Sequence, residues 1–328
     1  MKRIIGASLI MSLFVLGFAW TVPVQAQGAS AWGGDQKGRV RLIAGARMPD
    51  GKLRAGLEVD LAEGWKTYWR VPGDSGVPAV FDWTKSKNIK AIKVHWPAPT
   101  RFKDKYGWNN GYKEDFVFPV EIQPKNPAEP VKLDLLLHYG VCEDLCIPGK
   151  PNLSLSVPPE GYSGHQVLIG RYLQMVPQPA NKDSAIQVAA VDVQKAGQGL
   201  SLNVTLNTRS AEPVSLFVEG PSALFFDVPK QDVGGDAGKS SFKVLVDGAK
   251  AASELKGQEL KFTAVQGELR LEQITDKIAD LTEKLEGLGR VRGRQGRTKA
   301  LNEAIEQLHE EAAAVRTVIE AHREEEPV

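Results

Sequence analysis

The sequence predicts a mainly β protein: two antiparallel β-sandwich domains followed by an α-helical hairpin or coiled-coil tail. Three observations carry this. Short apolar stretches alternating with polar residues, and punctuated by Gly and Pro, recur from residue 38 to 160 and again from 185 to 268. No amphipathic helices lie between the strands of 38–160, which argues against a parallel α/β sheet. Near residue 270 the pattern changes to apolar steps of four and three with charges in the gaps.

Taken in order, Lys2 and Arg3 precede an almost wholly apolar run at 4–20, and Val24 and Ala26 occupy the −3 and −1 positions of a small-residue cleavage site. Residues 1–26 read as a cleavable secretory signal peptide, so export from the cytoplasm is expected. Roughly 300 residues would follow, enough for two or three domains. The net charge of +1 carries no nucleic-acid signature for the chain as a whole. In 38–160, "RAGLEVDL", "IKAIKVHW", "FVFPVEI", "KLDLLLHYGV" and "NLSLSV" read as strands. Residues 161–184 read as a linker, in which "SGHQVLIGRYLQMVP" has the makings of one helix before the "PQPANKD" breaker. Residues 185–268 return to strands such as "LSLNVTLN", "VSLFVEG" and "LKFTAVQG", with no cysteine, tryptophan or histidine up to residue 266. In 271–325, Ile274, Ile278, Leu281, Leu285 and Leu288 form one heptad-like stripe, and Leu301, Ile305, Leu308, Ala312, Val315 and Ile319 a second. These predict helices over 271–288 and 298–325, joined by the basic, glycine-rich "GLGRVRGRQGR". Such short helices must dock on each other, on a sandwich or on another copy, so self-association through 271–325 is an expectation.

The chain has two cysteines, Cys142 and Cys146, in "HYGVCEDLCIPG". An exported pair is either oxidised or held reduced for a purpose. A structural bridge is one reading, but a ring this short constrains the unfolded chain little. A metal site is another: His138, Cys142 and Cys146 would share a face of a helix, yet "LDLLLHYGV" reads as a strand, and soft ligands for copper(I) are few. A redox pair is the third, because a short ring opens and closes without unfolding the domain. Glu143 and Asp144, between the cysteines, place negative charge beside the sulfurs and are expected to raise the thiol pKa.

Five of the seven tryptophans lie between Trp65 and Trp108. Two aromatic stretches stand out there, "GWKTYWRVPGDSGVPAVFDW" at 64–83 and "RFKDKYGWNNGYKEDFVFP" at 101–119. Together with "YGVCEDLCIP", they resemble the amino-terminal periplasmic domain of thiol:disulfide interchange proteins of the DsbD type, and more closely the ScsB branch linked to copper tolerance. The resemblance is strong over 38–160 and looser to about 266, since the ScsB branch carries a second β domain.

The resemblance implies an immunoglobulin-like sandwich whose cysteines, here Cys142 and Cys146, exchange electrons with periplasmic thioredoxin-like proteins. It implies Cys146 as the partner-linked sulfur and Cys142 as the resolving one. It implies an aromatic cap loop at 102–107, with Tyr106 the first candidate for covering the sulfurs and Phe102 the next. Family members usually continue into a membrane electron-transfer domain and a thioredoxin-like domain. Neither pattern occurs in this sequence, so a separate membrane electron donor is expected. No cofactor beyond the cysteine pair is implied. The alternatives are a copper-binding protein using the same cysteines with His138, and a non-catalytic adaptor acting through the tail.

Overall fold

The computed structural model describes residues 28–162, 164–197, 199–232, 238–249, 254–255, 257–275 and 279–280. The expected signal peptide, and the basic connector and second helix of the expected tail, lie outside these residues.

The first domain contains β1 (Gly33–Asp35), β2 (Gly38–Arg47), β3 (Leu53–Leu61), β4 (Thr67–Gly73), β5 (Val80–Asp82), β6 (Ile89–Val94), β7 (Thr100–Asp104), β8 (Gly107–Tyr112), β9 (Phe116–Pro124), β10 (Val131–Cys142), β11 (Cys146–Gly149) and β12 (Asn152–Val157). One sheet runs β1-β2-β3-β9-β6 and faces a second in which β10 is flanked by β11, β12 and β5. The alternation read from the sequence is literal in β10. Val131, Leu133, Leu135, Leu137, Tyr139 and Val141 are buried, while Lys132 and His138 between them are exposed. A third sheet, β4-β8-β7, stands at the end of the sandwich nearest the cysteines. An isolated bridge between Lys66 and Cys142 ties it to β10.

Strand β9 is buried almost throughout because both of its faces are covered. Phe116, Phe118, Val120 and Ile122 enter the sandwich core, whereas Val117 packs with Ile43 under Ile169. Ile169 belongs to α1 (Gln166–Gln174), inside the segment expected as a linker. The helix is docked on the sheet: Tyr172 donates from its hydroxyl to the Asp115 carbonyl at 2.7 Å, and the Gln166 side chain accepts the Ala46 N–H at 3.0 Å.

The second domain contains β13 (Gln178–Pro179), β14 (Ile186–Ala196), β15 (Gly199–Thr208), β16 (Ser215–Glu219), β17 (Phe225–Phe226), β18 (Lys230–Gln231), β19 (Lys239–Asp247), β20 (Leu260–Gln266), β21 (Leu269–Thr275) and β22 (Ala279–Asp280). One sheet runs β13-β21-β20-β16; the other runs β17-β19-β15-β14-β22, with β18 on β19. Leu202, Val204, Leu206, Leu216, Val244 and Phe262 centre the core between them.

The start of the expected helical tail is corrected here. Residues 271–275, predicted to open a helix, lie in β21, which pairs antiparallel with β20 from Gln266↔Leu269 to Leu260↔Thr275. Gly267, at φ 54°, supplies the left-handed turn that reverses the chain. Ile274, counted in the heptad stripe, is half exposed on this hairpin. A partner strand that satisfies the backbone groups facing it across the hairpin outweighs a short apolar stripe with nothing to dock on. Residues 279–280 of the same expected helix form β22, which pairs parallel with β14, and the rest of the helical expectation, 276–278 and from 281 onward, lies outside the described residues.

Candidate functional site

Cys142 closes β10 and Cys146 opens β11, and the two face each other across the antiparallel ladder. The Cys142 N–H donates to the Lys66 carbonyl at 2.9 Å, and the Lys66 N–H donates to the Cys142 carbonyl at 2.9 Å. Both backbone groups of Cys142 thus point away from β11, toward the third sheet. The cysteines form a non-hydrogen-bonded pair, the type that brings opposed side chains closest. They are joined in a disulfide with a Cα–Cα distance of 4.1 Å. Glu143, Asp144 and Leu145 form the turn, all exposed. The sulfurs are unequal in access: Cys142 is 1% exposed, while Cys146 lies on the surface.

The cover over Cys142 comes from the third sheet. Tyr68 of β4, Phe102 of β7 and Cys142 make a separate buried cluster. The two rings are tilted, with centroids 6.5 Å apart. The Tyr68 hydroxyl lies 3.8 Å from the Cys146 sulfur. Burial, and then the Asp104 carboxylate, push Tyr68 up to about 12, so it stays protonated and available as a donor to that sulfur. Gly76 makes room for the ring: a Cβ there would sit 2.4 Å from a Tyr68 ring carbon.

Phe102 and Tyr106, the two cap candidates, occupy different places. Phe102 is buried against Cys142, whereas Tyr106 is 54% exposed at the tip of the β7–β8 hairpin. The Tyr106 hydroxyl donates to the Asp144 carbonyl at 3.4 Å, and Lys105 pairs with the Asp144 carboxylate at 3.5 Å. The hairpin tip therefore leans on the turn between the cysteines rather than on the sulfurs. Beneath it, the buried Lys66 ammonium donates to the Glu143 carbonyl at 2.9 Å and pairs with Asp104 at 3.3 Å. Burial works against the charge on Asp104, but the Tyr106 N–H and Lys66 outweigh it and hold the carboxyl below its ordinary value. Sequence reading missed Tyr68 and Lys66. Their spacing to the cysteines carries no signal, although Tyr68 sits in the aromatic stretch singled out.

The metal alternative is not assembled. His138 lies on the exposed side of β10, paired with Val80. Four residues of extended strand place it roughly 13 Å from Cys142, and both sulfurs are spent in the disulfide. Among the described residues, no group of three or more His, Cys, Asp and Glu is placed to hold a metal ion. No described helix is long and apolar enough to cross a membrane.

A β-sandwich that ends in a capped two-cysteine hairpin is the class of domain this geometry defines. Residues 39–158 match the family model described as "Thiol:disulfide interchange protein DsbD, N-terminal". Residues 175–280 match a second, described as a domain of unknown function (DUF8393). Among solved structures, the N-terminal periplasmic domain of ScsB from Proteus mirabilis superposes with a TM-score of 0.62 at 23% identity, covering 76% of this chain and 97% of that one. No curated protein matches the sequence. Over residues 39–158 the chain is similar to the DsbD amino-terminal domain, a family involved in thiol:disulfide exchange, and its likeness to the ScsB domain is one of fold.

Proposed function

We propose that the first domain is a periplasmic thiol:disulfide exchange module that relays electrons through Cys142 and Cys146 to or from thioredoxin-like proteins. The observation that carries this is the inequality of the two sulfurs, one buried under an aromatic cover and one at the surface beside a protonated tyrosine. In the reduced protein, the Cys146 thiolate attacks one sulfur of a partner's disulfide. A mixed disulfide forms, and the partner's other sulfur leaves as thiolate and takes a proton. The Cys142 thiolate then attacks Cys146, forming the intramolecular bond and releasing the partner's second thiol. Two electrons and two protons pass to the partner, and the reverse sequence regenerates the dithiol from a reduced donor. Tyr68 stabilises the Cys146 thiolate as it forms. Phe102 keeps Cys142 from adventitious reaction, and Tyr106 closes the turn. Glu143 and Asp144 oppose thiolate formation and the Lys66 ammonium favours it, so the acidic turn and the buried lysine together set the reactivity.

The test is the reduction potential of the pair, read by alkylation after equilibration in glutathione buffers. A value of roughly −180 to −270 mV is expected for an exchange protein. A bond below about −300 mV behaves as a structural disulfide and overturns the reading. With Cys142→Ser, a mixed disulfide should accumulate on Cys146.

A further inference from the structure

The third sheet has two clients. On β4, Tyr68 reaches the disulfide, while the next two residues, Trp69 and Arg70, reach the second domain. On β7, Phe102 covers Cys142, while the residue before it, Arg101, reaches the second domain. Arg70 binds both carboxylate oxygens of Glu219, at 2.8 and 2.6 Å, and also Glu272. Burial opposes its charge, yet the two glutamates prevail and hold its guanidinium above the ordinary value. Arg101 donates to the Leu216 carbonyl at 2.6 Å and lies over the Phe217 ring at 4.5 Å. Trp69 meets the same ring, with centroids 5.6 Å apart.

Phe217 is the centre of this contact. In β16, Leu216 and Val218 face the second domain's own core, but Phe217 points the other way and is 2% exposed within the core of the first domain. Around it the two domains do not pack continuously. A crevice of about 410 Å3, lined in part by Trp108, Phe225 and Phe226, separates them. Val265 of β20 also packs against the first domain's core, so the hold centres on Phe217, Val265 and the two arginines, directly behind the residues that cover the sulfurs.

We propose that the second domain is a positioning module for the cysteine site: by gripping β4 and β7 through Phe217, Glu219 and Glu272, it holds Tyr68 and Phe102 over Cys142 and Cys146. This gives a purpose to a domain whose described strands offer no reactive side chain of their own. It deepens the exchange reading, yet its test does not depend on it. Reduction by a phosphine reports the cover over the sulfurs whether or not a partner protein uses them.

The experiment measures the rate at which tris(2-carboxyethyl)phosphine reduces the disulfide in the mature two-domain protein. It compares the parent with Phe217→Ala and with the double variant Glu219→Ala/Glu272→Ala. Val244→Ala, in the second domain's core and away from the contact, is the control. Near-ultraviolet circular dichroism checks folding. The expected result is reduction about tenfold faster in both contact variants, a change of about 1.4 kcal/mol in barrier, with the control at the parent rate. Should Phe217→Ala fail to fold, the double variant decides. Folded contact variants reduced within about twofold of the parent rate, or a control accelerated as much as they are, would overturn the proposal.

Discussion

The two sandwiches use similar architecture for opposite ends. The first places polar and aromatic side chains where a sandwich ordinarily ends, adding a third sheet that covers a disulfide. The second has no cysteine, histidine or tryptophan up to residue 266, and its strand β16 breaks inside–outside alternation to send Phe217 into its neighbour. The candidate site thus lies at one tip of one domain, and Phe217 of the other domain packs behind that tip. A sandwich is stable with either ending, so the difference lies in which edges are left to carry work.

The largest effect is expected of Cys146→Ser. It should reduce exchange with a thioredoxin-like partner to background in an insulin-type turnover assay, while leaving the Tm of the second domain unchanged. Exchange that survives would place the chemistry outside this hairpin.

Phe217→Ala tests whether the domains are energetically separate. Emptying a buried phenylalanine site costs about 3–5 kcal/mol, and because this ring lies in the first domain's core, denaturant unfolding should show the first domain losing stability from a substitution in the second. Loss confined to the second domain's transition would show the contact to be incidental.

Tyr68→Phe should act on the site alone. The hydroxyl lies 3.8 Å from the Cys146 sulfur, a weak contact worth about 1 kcal/mol or less. Exchange should slow by up to about fivefold in stopped-flow traces, with the melting temperature almost unchanged. A fall in stability without a change in rate would make Tyr68 a packing residue only.

The smallest effect separates the domains by pH. Burial, then the nearby Lys93, depress the His95 pKa below its ordinary 6.5, Arg54 and Lys52 add to this, and Glu121 opposes it. His165 is depressed by burial first and by Arg41 next. Below about pH 6.5 the unfolded chain binds protons that the folded one refuses, so stability present above that value is lost as pH falls toward the folded pKa. Thermal scans from about pH 7 to about pH 5 should show this in the first domain, where the described histidines lie. His95→Gln should flatten the dependence, and an unchanged slope would assign it elsewhere.

Much of this was legible in the residues. Period-two alternation located the strands of both sandwiches, since a half-buried strand must alternate whatever it packs against. The cysteine ring was legible because its members are five residues of one turn. "VSLFVEG" was read as a strand, but three consecutive apolar residues, Leu216 to Val218, also mark burial on both faces. The opening of the tail was misread because steps of four and three at Ile274 and Ile278 imitate a helix when the competing hairpin partner, β20, is not considered. The resemblance puts Tyr106 first and Phe102 next in the cap loop; loop position says which aromatics are near the cysteines, and only the packing shows that Phe102 turns inward.

From the residues one reads the two β domains, the two-cysteine turn and the likeness of 39–158 to DsbD-type domains. Each is written in local alternation, short spacing or motif. Tertiary structure alone decided which sulfur is exposed, that Tyr68 rather than a cap-loop residue reaches Cys146, and that the second domain grips the sheet behind the site. Those contacts join residues 78, 149 and 202 positions apart. Over such separations side-chain direction depends on how twisted sheets pack against each other, which no local pattern encodes.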